Sequence, residues 1–572
     1  MSSWPAGRDA LRDAWSRPRS AQAVILVLAV WLTLFANVAL WRTLLAARPG
    51  SAGLLLCLLV GLIVFAGTAA LLSLFGWGRW SKPLWLAVAL AAALSQYYMV
   101  EFGVVIDRTM LANIFQTDPR EVRDLLTWTL LGHVLGVMAL PLLWLWQVPL
   151  RRQAPWHSAL RSTALFGLAL GGGIAIVAAA YSVLAPLVRN NMQLRYQPNP
   201  TMPVATLVKL ATSPLLKPSR PLVRISEGAG LGSTHEAGSK PRLVVVVVGE
   251  TARADHFGLN GYARPTTPEL AARDVFSFGN VWSCGTNTLA SVPCMFSALG
   301  REGYGKRSAE HENLLDVANA AGLAVLWIDN QAGCKGVCAR VPNVSTADLA
   351  GSTEGQALCH DDECLDAALL VGIDGRLERL PADRQRNGTL VVMHMMGSHG
   401  PAYSRRSTAE FKRFRPECLS TVLGECVHDE LVNVYDNSIV YTDHVLAKTI
   451  DWLQTRSSTE DTALLYVSDH GESLGEYGIF LHGLPYALAP DAQKRVPMVV
   501  WLSGALTQRD GIDAACLRGQ RDERLSHDNL FHSALGLIDV TSPRYDARLD
   551  FVASCRKPRA ERAPISATAD KR

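Results

Sequence analysis

The chain has 572 residues, 49% of them hydrophobic, and 55 Lys and Arg stand against 51 Asp and Glu for a net charge of +4. The length leaves room for several domains, and the composition excludes a disordered polar chain. A charge so near balance singles out no class of partner, and no nucleic-acid partner is expected.

The hydrophobic residues are unevenly distributed, and nearly all long apolar runs lie before residue 190. Five runs reach the roughly 20 residues that a helix needs to cross a bilayer. They are residues 21–41, 54–75, 83–100, 125–148 and 162–188. Runs 54–75 and 162–188 carry no charge, which argues against buried helices of a soluble core. Basic residues set the orientation. Arg8, Arg12, Arg17 and Arg19 precede the first run, Arg79 and Lys82 separate the second and third, and Arg151, Arg152 and Arg161 separate the fourth and fifth. These segments belong in the cytoplasm, so the chain after residue 190 emerges on the other side. Residues 1–190 are thus expected to be a transmembrane domain of five helices. Residues 191–240 are expected to be a membrane-surface bridging helix and a flexible Gly/Ser-rich linker, 226–240.

Cysteine usage agrees. Ten of the 11 cysteines follow residue 280, an even number in an exported domain, which points to disulfides. Pairing neighbours in sequence gives Cys284–Cys294, Cys334–Cys338, Cys359–Cys364 and Cys418–Cys426, leaving Cys516–Cys555. Connectivity does not follow from sequence alone. The rival reading is zinc at Cys334 and Cys338, but no four-cysteine zinc pattern is present.

From Pro241 the pattern changes. Short continuous apolar runs, 243–248, 323–328, 390–393, 463–467 and 496–502, alternate with helix-like stretches. Continuous runs mean burial on both faces, hence a mostly parallel sheet covered by helices, an α/β domain over residues 241–556. Residues 557–572 read as a disordered basic tail. In such folds ligands bind at the carboxyl ends of the strands. There the chemistry gathers. LVVVVVGETARADH puts Glu250 at the first strand end; Asp329, Asn330 and Lys335 follow the second; His394 and His399 follow the third; Asp469, His470 and Glu472 follow the fourth, and GIFLHG adds His482. One strand-end carboxylate is more often structural than not. Four enriched ends point to a metal, and carboxylate with imidazole suits Zn²⁺ better than Mg²⁺ or Ca²⁺. A nucleophile is offered by WSCGTNTLASVPCMFS, where Ser283, Thr286, Thr288 and Ser291 are open choices or a helix-capping cluster.

These strings in this order, VGETARADHFGLNGY, SCGTNTLASVPCMFS, HMMGSHGPAY and SDHGESLGEYGIFLHG after five spans, resemble the bacterial phosphoethanolamine transferases that modify lipid A, among them the mobile colistin-resistance enzymes. The resemblance runs from the first span to about Cys516. It implies an alkaline-phosphatase/sulfatase fold for the exported domain. It further implies Glu250, Asp469 and His470 as zinc ligands, with Thr288 as nucleophile and fourth ligand. His399 and His482 are implied to meet the phosphate or a second zinc, one ion being expected firmly. Lys335 is implied to contact the headgroup, and Asn113, Thr117 and Glu121 to line the donor pocket. Ala332 stands where the family has serine. Pro119, between Thr117 and Glu121, makes one regular helix through the three doubtful.

The implied reaction moves phosphoethanolamine from phosphatidylethanolamine through Thr288 to a lipid A phosphate, which would give resistance to cationic peptides such as polymyxins. The implied place is the bacterial inner membrane, multi-pass, with the catalytic domain in the periplasm, as a monomer. Sulfatases share the fold, but VPCMF lacks the arginine of their C-x-P-x-R or S-x-P-x-R motif. Lipoteichoic acid synthases share the spans and a threonine nucleophile but not this cysteine density. A core-sugar acceptor and an inactive lipid-binding sensor remain the alternatives.

Overall fold

The computed structural model describes residues 17–557 except 79, 117–118, 152–153, 213–220, 236–237, 350–351 and 361–362. Arg8, Arg12, Arg79, Arg152, Thr117 and the tail from 558 on lie outside the described residues. The chain divides into two compact units. One comprises residues up to 115 and 119–216, the other residues 116–118 and 217 onward.

In the first unit four described helices are long and apolar enough to span a membrane: Ser51–Ser73, Ser81–Glu101, Trp128–Gln147 and Trp156–Ala179. A fifth span exists only if the pair Ala21–Phe35 and Val38–Ala47, bent by 55°, is counted as one. The expected first helix is therefore broken in its middle. The break frees backbone groups that hydrocarbon cannot satisfy, and buried side chains take them. Gln96 Nε2 donates to Phe35 O (2.8 Å) and its Oε1 accepts from Val38 N (2.9 Å). Asn199 Nδ2 donates to Ala36 O (2.9 Å) and Ala92 O (2.7 Å), while Asn37 Oδ1 accepts from Asn199 N (2.9 Å). Leu131, Leu135, Leu168 and Ile174 are exposed, as lipid-facing positions are. The expected fifth span ends early: the helix Pro155–Ala179 gives way to a separate helix Tyr181–Asn190. A short apolar helix, Thr201–Ala211, follows.

The second unit is built on an eight-stranded sheet. In chain order its strands are β1 (Arg242–Gly249), β2 (Val275–Trp282), β3 (Ala324–Asp329), β4 (Asn343–Ser345), β5 (Thr389–His394), β6 (Asp461–Ser468), β7 (Arg495–Leu502) and β8 (Leu525–Ser526). The spatial order is β8-β2-β7-β6-β1-β5-β3-β4. Every residue of β1, β3, β5 and β6 is buried, as their unbroken apolar runs require. The sheet is mixed. β7 runs antiparallel to both β6 and β2, whereas the other pairings are parallel. Burial on both faces gives the same apolar run in either direction, so the pattern could not reveal the reversal. β1 lies between β5 and β6, which sets Gly249 beside Ser468 and Val248 beside His394. Three chemistry-bearing strand ends therefore meet.

The stretch 226–240 is pinned rather than free where it is described. Gly230–Leu231 pairs with Val540–Thr541, and Thr234 N donates to Asp539 Oδ2 (2.9 Å). All five disulfides take the neighbour pairing, Cys516–Cys555 included.

Asn199→Ala should lower the stability of the membrane unit by about 1–3 kcal/mol by leaving buried carbonyls unpaired. Thermal unfolding in detergent micelles measures this. A melting curve unchanged from the parent would show that the bend needs no such support.

Candidate metal and nucleophile site

β1 leaves the core at Glu250, and Thr251 then takes a left-handed backbone (φ 53°), which turns the chain off the sheet at once. The loop after β5 is pressed on this corner. Ser398 N donates to Glu250 O (3.0 Å), and a Cβ on Gly397 would lie 2.6 Å from that oxygen, so the close approach demands glycine. From β6, Asp469 N donates to Gly249 O (2.9 Å). Gly471 has no room for a side chain either, because a Cβ there would lie 2.0 Å from Ala492 O.

Glu250, Asp469 and His470 are all fully buried. Their ligand atoms lie within 4.8 Å of one another. Glu250 Oε1 and Asp469 Oδ2 are buried without a hydrogen-bond partner, and His470 Nε2 lies 3.2 and 3.4 Å from them. The other ring nitrogen, Nδ1, faces Gly471 O at 3.0 Å. Donation there leaves Nε2 with a lone pair directed at the two orphaned oxygens. Two unsatisfied carboxylate oxygens and an imidazole lone pair converging in a dry site form a donor set suited to a divalent metal ion, Zn²⁺ among them. Without a cation the cluster is electrostatically frustrated. Burial would raise Glu250, but the His470 imidazole holds it below the ordinary carboxylate range. Burial and then the charge of Glu250 push Asp469 up to about 7. Burial disfavours charge on His470, yet Asp469 and Glu250 drive it up to about 10.

Thr288 opens the helix α1 (Thr288–Met295), capped by Asn287, whose side chain accepts from Ala290 N. Its Oγ1 donates to Glu250 Oε2 (3.0 Å) and lies 3.4 Å from His470 Nε2. The other three hydroxyls are engaged elsewhere. Ser283 Oγ donates to Gly285 O, Thr286 Oγ1 to Leu484 O and Ser291 Oγ to Asp469 O. Thr288 is thus the one of the four hydroxyls that meets the side chains of the cluster.

The His482 ring lies tilted against that of His470 with centroids 4.4 Å apart, and the His399 centroid lies 5.4 Å from that of His482. His482 Nδ1 is 2.9 Å from Glu472 Oε2, whose other oxygen accepts from Tyr403 OH (2.6 Å). Burial pushes His399 down to about 3, so it is neutral at ordinary pH. His470, Glu472 and His482 form a second group of potential ligands. Lys335, also on a left-handed backbone (φ 50°), turns its Nζ to Ala332 O (3.1 Å) on its own loop, rather than to the cluster. Asn113 is half-buried on the helix Arg108–Gln116 of the membrane unit, and Pro119 opens a separate helix, Pro119–Leu125, that carries Glu121.

Two residues escaped the sequence reading. Gln331 Nε2 donates to the same Glu250 Oε2 that Thr288 meets (2.9 Å); its place just past β3 was a usable signal. His527, fully buried, accepts from Cys284 N at Nδ1 (3.0 Å) and donates from Nε2 to Ser468 O (2.9 Å). It ties the nucleophile loop to the end of β6.

Burial pushes His527 down to about 4 from an ordinary 6.5. The unfolded chain therefore binds this proton first as pH falls, and stability is lost between 6.5 and 4, by about 3 kcal/mol in all. Chemical denaturation at stepped pH should show a shallower loss over this window in His527→Asn than in the parent; equal slopes would remove His527 from the account.

Known proteins resemble this chain over nearly its whole length. Residues 242–540 match the Sulfatase family model and residues 64–215 the model described as Phosphoethanolamine transferase EptA/EptB. The chain is 37% identical over 548 residues to phosphoethanolamine transferase EptA of Escherichia coli strain K12, covering 94% of this chain and 97% of that one. It is 37% identical to phosphatidylethanolamine transferase Mcr-1 of Escherichia coli, covering 94% and 99%. The integral membrane lipooligosaccharide phosphoethanolamine transferase A of Neisseria meningitidis superposes with a TM-score of 0.88 at 33% identity, covering 95% of this chain and all of that one. The chain belongs to the phosphoethanolamine transferase family, membrane-anchored enzymes with a sulfatase-type catalytic domain.

Proposed function

We propose that this protein transfers phosphoethanolamine from phosphatidylethanolamine to a phosphate of lipid A, at the periplasmic face of a bacterial inner membrane, and so confers resistance to polymyxins. The observation that carries the reading is the position of Thr288 Oγ1, at a helix N-terminus, 3.0 Å from Glu250 and 3.4 Å from His470. The named relatives support the choice of substrates.

Glu250, Thr288, Asp469 and His470 would hold one zinc ion, and His399 with His482 would be the place for a second. Bound zinc supplies Lewis-acid polarisation of the phosphoryl group and lowers the pKa of a nearby alcohol. The chain's own groups do the rest. The proton of Thr288 leaves towards Glu250 Oε2, which already accepts it in a hydrogen bond. Oγ1 attacks the donor phosphorus, the bond from phosphorus to the glycerol oxygen breaks, and diacylglycerol departs after its oxygen takes up the proton that Thr288 released. Ethanolamine phosphate remains esterified to Thr288. An oxygen of a singly protonated lipid A phosphate then attacks the same phosphorus, the bond to Oγ1 breaks, and Oγ1 takes up the proton that the acceptor phosphate gives up. His399, neutral through burial, and His482, oriented by Glu472, serve the phosphoryl oxygens and the leaving alcohol. The α1 N-terminus adds a favourable field for the developing charge. Following the resemblance, Lys335 is assigned to the headgroup, and Asn113, Thr117 and Glu121 are assigned to the lining of the donor pocket.

Thr288→Ala should lower transfer by at least about a thousandfold, as loss of a covalent nucleophile does. Incubation with donor alone should add one ethanolamine phosphate to the parent, on the peptide carrying Thr288, and none to the variant, as read by mass spectrometry. Chelation should stop transfer, and added zinc should restore it. Activity retained by Thr288→Ala would end the assignment.

A further inference from the structure

The residues assigned above address the donor and the reacting phosphorus, which leaves the acceptor without a binding surface. A cluster of cations on aromatic rings stands on the same edge of the sheet. Trp282 is the last residue of β2, which runs in the same sense as β1 and β6, so it emerges on the edge where Glu250 and Asp469 sit. The Arg524 guanidinium lies 4.6 Å from the Trp282 centroid. The Arg301 guanidinium lies 4.0 Å from the Tyr486 centroid. Lys494 Nζ bridges the two rings at 5.5 and 5.9 Å.

The cluster is stitched to the reacting groups. Ser283 N donates to Lys494 O (2.8 Å), Gly483 N donates to Thr286 O (2.7 Å), and Thr286 Oγ1 donates to Leu484 O (2.6 Å). Trp282 and Tyr486 thus stand on the two loops that carry Thr288 and His482. The rings are half-buried, whereas Arg301 and Arg524 are exposed. Lys494 is paired with Asp491 at 3.2 Å and contributes little net charge. Asp528 accepts the backbone N of Arg301 (2.7 Å). Among the described residues neither the Arg301 nor the Arg524 guanidinium has a carboxylate in ion-pair range. An arginine laid on a ring is ordered before any ligand arrives and keeps its in-plane N–H fork free, the geometry that grips phosphate. Two exposed guanidinium groups, ordered on rings of the segments that lead to Thr288 and His482, offer their forks to an anion, and preorganisation lowers the entropic cost of binding it.

We propose that Arg301 and Arg524, held on Tyr486 and Trp282, form an acceptor subsite that binds an anionic group of a phosphorylated sugar headgroup and holds that acceptor beside Thr288. The proposal rests on the transferase reading above. The same chemistry could come from the phosphate of the donor glycerophospholipid, and the test separates the two sources.

The full chain carrying Arg301→Gln and Arg524→Gln together is compared with the parent in two half-reactions. Labelling of Thr288 by phosphatidylethanolamine alone should proceed at the parental rate. The KM for a phosphorylated disaccharide lipid acceptor should rise by about tenfold, the effect of losing two charge-assisted contacts, with kcat little changed. Arg301→Lys with Arg524→Lys should recover part of the loss. Titration of Thr288→Ala protein with the deacylated phosphorylated disaccharide reads the subsite without turnover and should show the same weakening. An unchanged acceptor KM overturns the proposal. So does an equal loss in both half-reactions, which would make the cluster a donor site or a structural one. A parent that neither labels Thr288 nor transfers, yet binds the disaccharide through these arginines, overturns the transferase reading and leaves the subsite standing.

Discussion

Two carboxylates and an imidazole with no access to water are the constraint on which the rest of this domain depends. Glu250, Asp469 and His470 are each fully buried, within a few ångströms of one another. Isolated buried charge costs several kcal/mol per ion unless a counter-charge and hydrogen bonds offset it. A protonated His470 answers one negative charge and leaves the other; burial first, and then the charge of Glu250, drive Asp469 up to about 7. A divalent cation with neutral His470 answers both. The orphaned Glu250 Oε1 and Asp469 Oδ2 are where that cation would be coordinated. The second oxygen of each carboxylate is already committed: Glu250 Oε2 to Thr288 and Gln331, Asp469 Oδ1 to the amides of Thr251 and His470. Each carboxylate is thereby fixed with one oxygen turned inward.

Holding that cluster rigid requires the surrounding architecture. β1 and β6 are neighbours in the sheet centre, packed on both faces, so their ends cannot drift apart. The loop that carries Thr288 is fastened at three points: the Cys284–Cys294 disulfide, the His527 ring and the backbone of Gly483 and Leu484. Arg253, buried just past Glu250, grips Glu476 and the Glu472 carbonyl, binding the β1 exit to the loop that leads to His482. Preorganisation of this kind is what makes a fixed hydroxyl and fixed charges effective in catalysis.

Much of this was legible in the sequence, and the exceptions have physical reasons. β1, β3, β5, β6 and β7 announced themselves as apolar runs because both their faces are covered. β2, VFSFGNVW, did not, because towards the sheet margin its residues are alternately buried and half-exposed. The direction of β7 leaves no trace in an apolar run. The strand-end rule pointed to Glu250, Asp469 and His470, which lie together, whereas the choice of Thr288 over Thr286 came from resemblance, and Thr288 is the hydroxyl that reaches Glu250. Gln331 stands just past β3, where the strand-end rule looks, but escaped because an amide is not among the carboxylates and imidazoles from which that rule picks ligands. The broken first span looked continuous because its supports, Gln96 and Asn199, lie 61 and 163 residues from the carbonyls they satisfy.

The central claim is that one zinc ion sits among Glu250, Asp469 and His470 with Thr288 at its side. The most direct test is anomalous diffraction from crystals of the full chain on either side of the zinc absorption edge. A zinc peak is expected in contact with Glu250 Oε1, Asp469 Oδ2, His470 Nε2 and Thr288 Oγ1, lost in crystals of Glu250→Gln grown under the same conditions. Zinc-loaded, active protein with the peak elsewhere, or an unaltered peak in Glu250→Gln, would contradict it.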